Sequence, residues 1–196
     1  MTIKEICDIL RSKLYNSNFE YGFIVDGIKY KPNMQSGFDK EYYNLSMTIY
    51  TVQDPEVTIN DKIGTCVDSV LLMKSLLDNL NVPCKIWLLY NKLKNKAHTI
   101  VTFAAEEKIV YLELTPQSSK PWYGKEIVYS NEKEFFSDYE KNGFDVSDVT
   151  DLVVVGQPPY FLLNKIQYEE TNTTTDSVDV ALIRRHLIDR GVQLED

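Results

Sequence analysis

The stretch Gly64-Thr65-Cys66-Val67-Asp68-Ser69-Val70-Leu71-Leu72-Met73-Lys74-Ser75-Leu76-Leu77-Asp78-Asn79-Leu80-Asn81-Val82-Pro83, running on into Cys84-Lys85-Ile86-Trp87-Leu88-Leu89-Tyr90, decides the fold. From Cys66 to about Leu80 the residues Cys66, Val70, Met73, Leu77 and Leu80 recur at helical spacing. Val67, Leu71 and Leu76 widen that stripe until mainly Asp68, Ser69, Ser75, Asp78 and Asn79 interrupt it. A helix apolar on nearly every side belongs in the interior. Asn81-Val82-Pro83 stops it, since the residue before a proline is pushed toward extended backbone, and Cys84 to Tyr90 then reads as a buried strand. Upstream, Asp54-Pro55 marks a turn, and Asn60 to Thr65 supplies loop and cap residues.

Working outward, residues 98 to 103 and 108 to 114 read as an antiparallel pair joined by Ala104, Ala105, Glu106 and Glu107. A Ser/Pro/Trp loop follows Pro116, then a helix around Glu132 to Lys141 and two strand-like runs, Leu152 to Val155 and Tyr160 to Ile166, on either side of Pro158-Pro159. Toward the amino end, Ile3, Ile6, Ile9, Leu10 and Leu14 give a helix with Thr2 as cap, while Tyr21 to Val25 and Ile28 to Tyr30 flank the hairpin pair Asp26-Gly27. Residues 33 to 53 show no clean period. The expected organisation is one α+β domain over residues 1–170, a polar linker over 171–177 and a last helix over 178–190, with a central buried helix packed on an antiparallel sheet. A chain of 196 residues suits one domain.

With 43% hydrophobic and 26% charged residues the composition is that of a globular protein, and a net charge of -8 opposes binding to nucleic acid phosphates. The lysines at 92, 94 and 96 sit in an apparent loop and read as solvated. The opening residues MTIKEICDIL carry no apolar run with a cleavage site, and no stretch is long and apolar enough to span a bilayer. The expectation is a cytoplasmic protein with no membrane partner. Three cysteines at wide spacing fit free thiols better than a disulfide framework or a zinc site. Phosphate loops and metal-ligand clusters are absent from the sequence, so no cofactor is implied.

Cys66 sits where a helix begins, and the first-turn N–H groups there favour an anion, which a nucleophilic thiolate is. Of the two histidines, His186 lies beside Arg184 and Arg185 in the last helix, whereas His98 starts the strand soon after the helix-strand unit and is the better base. If the turn is centred between Ala105 and Glu106, His98 stands directly opposite Glu113, close enough for the carboxylate to orient the imidazole.

Gly64-Thr65-Cys66 followed by the long helix and Asn81-Val82-Pro83, then Ala97-His98, then Glu113-Leu114-Thr115-Pro116, resembles the transglutaminase-like branch of papain-fold cysteine hydrolases over roughly residues 55 to 117. Glu113 stands where that family has aspartate, the proline follows the threonine, and Tyr111 takes the place of a nearby tryptophan. The resemblance implies a papain/transglutaminase-like core and acyl transfer by a Cys66, His98 and Glu113 triad on an amide of a peptide or protein. The Cys66 N–H would serve in the oxyanion hole. Gln53 and Asn60, a short way upstream, are the candidates for its second donor. A small domain without an obvious calcium loop favours peptidase or amidase chemistry over cross-linking. The alternative is a catalytically inactive protein-binding module on the same fold.

Overall fold

A computed structural model describes residues 1–15, 17–32, 40–116, 118 and 120–165. The expected linker, the last helix and His186 lie outside the described residues.

Thr2 caps α1 (Ile3–Leu14) through a capping box with Glu5. Two short strands, β1 (Glu20–Tyr21) and β2 (Phe23–Val25), precede β3 (Ile28–Tyr30); Asp26 and Gly27 take φ of 50° and 76°, the left-handed pair that joins β2 and β3 antiparallel. Helix α2 (Lys40–Thr48) occupies part of the aperiodic segment. After the turn read at Asp54-Pro55 comes α3 (Pro55–Asp61), which takes in Asn60 and Asp61 of the segment read as loop and cap, while Thr65 is a helix cap as expected: the Asp54 carboxylate accepts the Glu56 N–H at 2.8 Å, and proline is suited to a first helical turn. Then come β4 (Ile63–Gly64), α4 (Cys66–Asn79), β5 (Cys84–Asn91), β6 (Lys96–Ala105), β7 (Lys108–Leu112), β8 (Glu126–Tyr129), α5 (Glu132–Glu140), β9 (Asp145–Asp148) and α6 (Tyr160–Leu163).

Five of these strands form one antiparallel sheet in the order β8-β7-β6-β5-β9. Both faces are covered, and the apolar run of β5 divides between them. Ile86 and Leu88 face α4 and α1 together with Val101, Phe103, Val110 and Leu112, whereas Trp87 and Leu89 join Ile100, Tyr111, Tyr129 and Phe135 of α5 on the other side. A strand buried on both sides needs no polar alternation, which is why Cys84 to Tyr90 reads as a continuous run. The chain is thus a mixed α+β protein with its central helix on an antiparallel sheet. Among the described residues no helix is long and apolar enough to cross a membrane.

The two late strand-like runs fold otherwise. Thr150–Leu152 is a 3₁₀ turn with Leu152, Val154 and Val155 exposed, and Tyr160–Leu163 is the helix α6, begun after Pro158-Pro159. Short apolar runs look alike as strand or helix, and among the described residues no strand pairs with either.

Candidate active site

Cys66 is the first residue of α4 and is half-buried. Its placement depends on a buried polar knot. Thr65 caps the helix and Asp68 closes the capping box, but Asp68 is also wholly buried, which overturns its reading as part of the polar face. Its Oδ1 accepts from the Tyr50 hydroxyl at 2.7 Å and the Gln53 N–H at 2.8 Å, and its Oδ2 from the Thr65 N–H at 2.9 Å and the Thr65 hydroxyl at 3.0 Å. One carboxylate therefore ties the segment before α3 to the start of the cysteine helix. Burial raises the Asp68 carboxyl to about 6, with the bonds from Gln53, Thr65 and Tyr50 holding it down against that pressure. Gly64 makes room for the knot, since a Cβ there would stand 3.1 Å from both Thr58 Cγ2 and Asp68 Cβ.

His98 and Glu113 meet, but not by the pairing expected. Glu106 and Glu107 both take positive φ, 50° and 57°, and form the turn, so Thr102 faces Tyr111 and Ala105 faces Lys108. The register is displaced by two residues from the one that sets His98 opposite Glu113. A displacement of two keeps every side chain on its face. Glu113, just beyond the end of β7, is therefore a diagonal neighbour of His98, and diagonal Cβ atoms stand roughly 7–8 Å apart. A glutamate spans that gap: its Oε2 lies 2.7 Å from His98 Nε2. The same carboxylate accepts from the Tyr111 hydroxyl at 2.5 Å and the Thr115 N–H at 3.0 Å, with Lys120 Nζ 3.4 Å away. Glu113 is 2% exposed at its side chain and His98 20%.

With Nε2 committed to Glu113, the other ring nitrogen serves Cys66, to which His98 is hydrogen-bonded. The pairing of β7 with β6 covers Thr102 to Ala105 and not the earlier part of β6. On that open stretch the Thr99 N–H donates to the Cys66 sulfur. Burial alone would push the Cys66 thiol up; the hydrogen bond and charge of His98, with Thr99, outweigh it and the net direction is down. His98 moves the opposite way. Burial opposes its charge, yet the bonds to Cys66 and Glu113 raise it to about 9. Glu113 is held well below the usual carboxylate range, burial being overcome by the His98 bond and charge and by Lys120. The arrangement can hold a thiolate beside an imidazolium. The other thiols differ: burial raises Cys7 to about 11 and also raises Cys84.

Neither Gln53 nor Asn60 lines the cleft that holds Cys66. The Gln53 amide is buried and both its donors are spent, on Ile63 O at 3.0 Å and Thr58 Oγ1 at 3.2 Å, while its oxygen accepts the Ile24 N–H at 2.8 Å. Asn60 is exposed on α3. Tyr21, which sequence reasoning passed over as part of the ribbon, does reach the site: its hydroxyl oxygen accepts the Cys66 N–H. Beside Cys66 opens a cleft of about 440 Å³ lined by Tyr21, Tyr43, Met47, Tyr50, Leu162 and Leu163 among others. Much of its wall comes from α2 and α6, the parts with the weakest sequence signal, and Tyr21, Tyr50, Asn95 and Lys96 also line it.

No family model and no curated protein matches the chain. Among solved structures it is similar to Legionella pneumophila LapG, with 16% identity over 93% of this chain and 78% of that one and a TM-score of 0.42.

Proposed function

We propose that the chain is a cysteine-dependent acyl-transfer enzyme that hydrolyses an amide bond of a peptide or protein, on a papain/transglutaminase-like core. Cys66 is the nucleophile, His98 the proton carrier and Glu113 the carboxylate that orients it. The observation supporting this most directly is the hydrogen-bonded row Cys66, His98, Glu113, with the thiol lowered and the imidazole raised to about 9.

The thiolate adds to the carbonyl carbon, forming the C–S bond while the π pair moves to oxygen. On collapse the C–N bond breaks, and the departing amine takes a proton from His98. A water deprotonated by His98 then cleaves the thioester and regenerates the ion pair. The aromatic and aliphatic lining of the cleft suits an uncharged group next to the reacting carbonyl.

The test is iodoacetamide labelling of the intact chain at pH 6, with each thiol resolved by peptide mass. Cys66 should react at least about tenfold faster than Cys7 and Cys84, as thiolate content dictates, and His98→Ala should abolish that lead. Equally slow labelling of all three thiols overturns the enzyme and is what an inactive protein-binding module would give.

A further inference from the structure

Acyl transfer by Cys66, on which this inference rests, needs a donor for the oxygen that turns negative as the thiolate adds. The backbone N–H at the start of α4 is the obvious one, yet it is already given to the Tyr21 hydroxyl oxygen. We propose that Tyr21 is the oxyanion donor of this site, the Cys66 N–H acting through it in a chain that runs from the amide to the phenol oxygen and from the phenol proton to the oxyanion.

The backbone fixes Tyr21 in place. Strand β1 pairs in parallel with β4, setting Tyr21 beside Gly64, two residues before the nucleophile. The Glu20 N–H donates to Lys62 O at 2.8 Å and the Gly22 N–H to Gly64 O at 3.3 Å, so the tyrosine is clamped on both sides to the strand that delivers Cys66. Its ring forms part of the cleft wall, packed against Tyr42 with ring centroids 6.3 Å apart.

The chemistry of a phenol fits the task. Burial, and next to it the charge of Cys66, hold the Tyr21 hydroxyl well above its ordinary range, so it keeps its proton wherever the thiolate exists. A hydroxyl that accepts one bond is polarised into a stronger donor, and its proton swings about the C–O bond to meet a carbonyl oxygen entering the cleft. No proton is transferred to the oxyanion: the carbonyl π pair sits on oxygen under the Tyr21 bond, returns to re-form C=O, and the amine leaves with the His98 proton.

Two reactions at one sulfur separate this role from others. Acylation by p-nitrophenyl acetate passes through an oxyanion; alkylation by iodoacetamide is a direct displacement and does not. In Tyr21→Phe the rate constant for Cys66 acylation should fall on the order of 10²-fold, while the alkylation rate and its pH profile stay as in the unaltered chain. Acylation within about threefold of the unaltered chain overturns the proposal. A rise overturns it too, for Tyr21 would then be covering an amide that works directly. An equal fall in acylation and alkylation shows that the hydroxyl only positions the thiol, which also overturns it. If the unaltered chain shows no selective alkylation and no acylation of Cys66, acyl transfer itself fails; the other outcomes sink the Tyr21 assignment alone.

Discussion

Because Glu113 reaches His98 along a diagonal of the sheet, shortening it by one methylene should act as the loss of the carboxylate. In Glu113→Asp the carboxyl group withdraws by about one C–C bond, ~1.5 Å. The 2.7 Å contact with Nε2 then opens to about 4 Å, outside hydrogen-bonding range. A bond to a charged group of this kind contributes about 1.5–3 kcal/mol, which at about 1.4 kcal/mol per pH unit amounts to a fall of roughly one to two pH units for the imidazolium. His98 is raised from 6.5 to about 9, burial opposing and the bonds to Cys66 and Glu113 raising it. The sign follows from that direction: the ion pair persists below the folded imidazolium value and is lost as pH rises through it. The alkaline limit of the Cys66–His98 pair should accordingly move from about 9 in the unaltered chain to roughly 7–8 in the variant. The assay is the rate of iodoacetamide alkylation at Cys66 between pH 5 and 10, read by intact mass. A Glu113→Asp profile that superimposes on that of the unaltered chain would refute the diagonal-reach reasoning.

Asp68→Asn should change how stability depends on pH. The folded carboxyl is raised from 3.8 to about 6, chiefly by burial, so between those values the folded chain holds a proton the unfolded chain has lost, and this group's contribution falls as pH rises. The gap amounts to about 3 kcal/mol across the window; urea midpoints at pH 4 and pH 6.5 should show that loss in the unaltered chain and not in the variant, and parallel curves would contradict it. Gly22→Ala should destabilise by about 1–3 kcal/mol, because Gly22 holds φ +153° and a Cβ would run into the Tyr30 carbonyl oxygen and stand 2.9 Å from Ile63 Cδ1. An unchanged urea midpoint would show that the ribbon simply shifts aside.

What the sequence made legible was whatever one local pattern could specify. The periodicity of Val70, Met73 and Leu77, the cap at Thr65 and the stop at Pro83 define α4 almost to the residue, and Asp26-Gly27 announces its turn. The β6–β7 turn was harder, since Glu106 and Glu107 occupy left-handed backbone with neither glycine nor asparagine to signal it. The error was an even number of residues, so the faces survived it and His98 and Glu113 still meet. Asp68 misled for a different reason. A carboxylate at the third helical position reads equally well as an exposed cap or a buried one, and the deciding partners, Tyr50 and the Gln53 amide, lie in a segment without period. Tyr21 was invisible because its place beside Cys66 comes from a two-residue parallel pairing with β4.

The site lies where two hydrogen-bonding ladders are left incomplete, and this explains how a half-buried thiol can be lowered at all. A helix start leaves its first amides unpaired, and a strand whose neighbour departs leaves amides along one edge; such groups are costly when buried without partners. Here the Cys66 N–H turns to Tyr21, and the Thr99 N–H, on the stretch of β6 that β7 does not cover, turns to the Cys66 sulfur. A thiolate here would satisfy an amide that the fold leaves open, with His98, held by Glu113 at the same open end, as its countercharge. Had β7 continued alongside β6 past Thr102, the Thr99 amide would have faced a strand partner and Cys66 would have kept its burial without that donor. The two-residue register places Glu113 on the diagonal and the early departure of β7 frees the edge that receives the sulfur, so the reach of the glutamate and the lowered thiol both come from one hairpin.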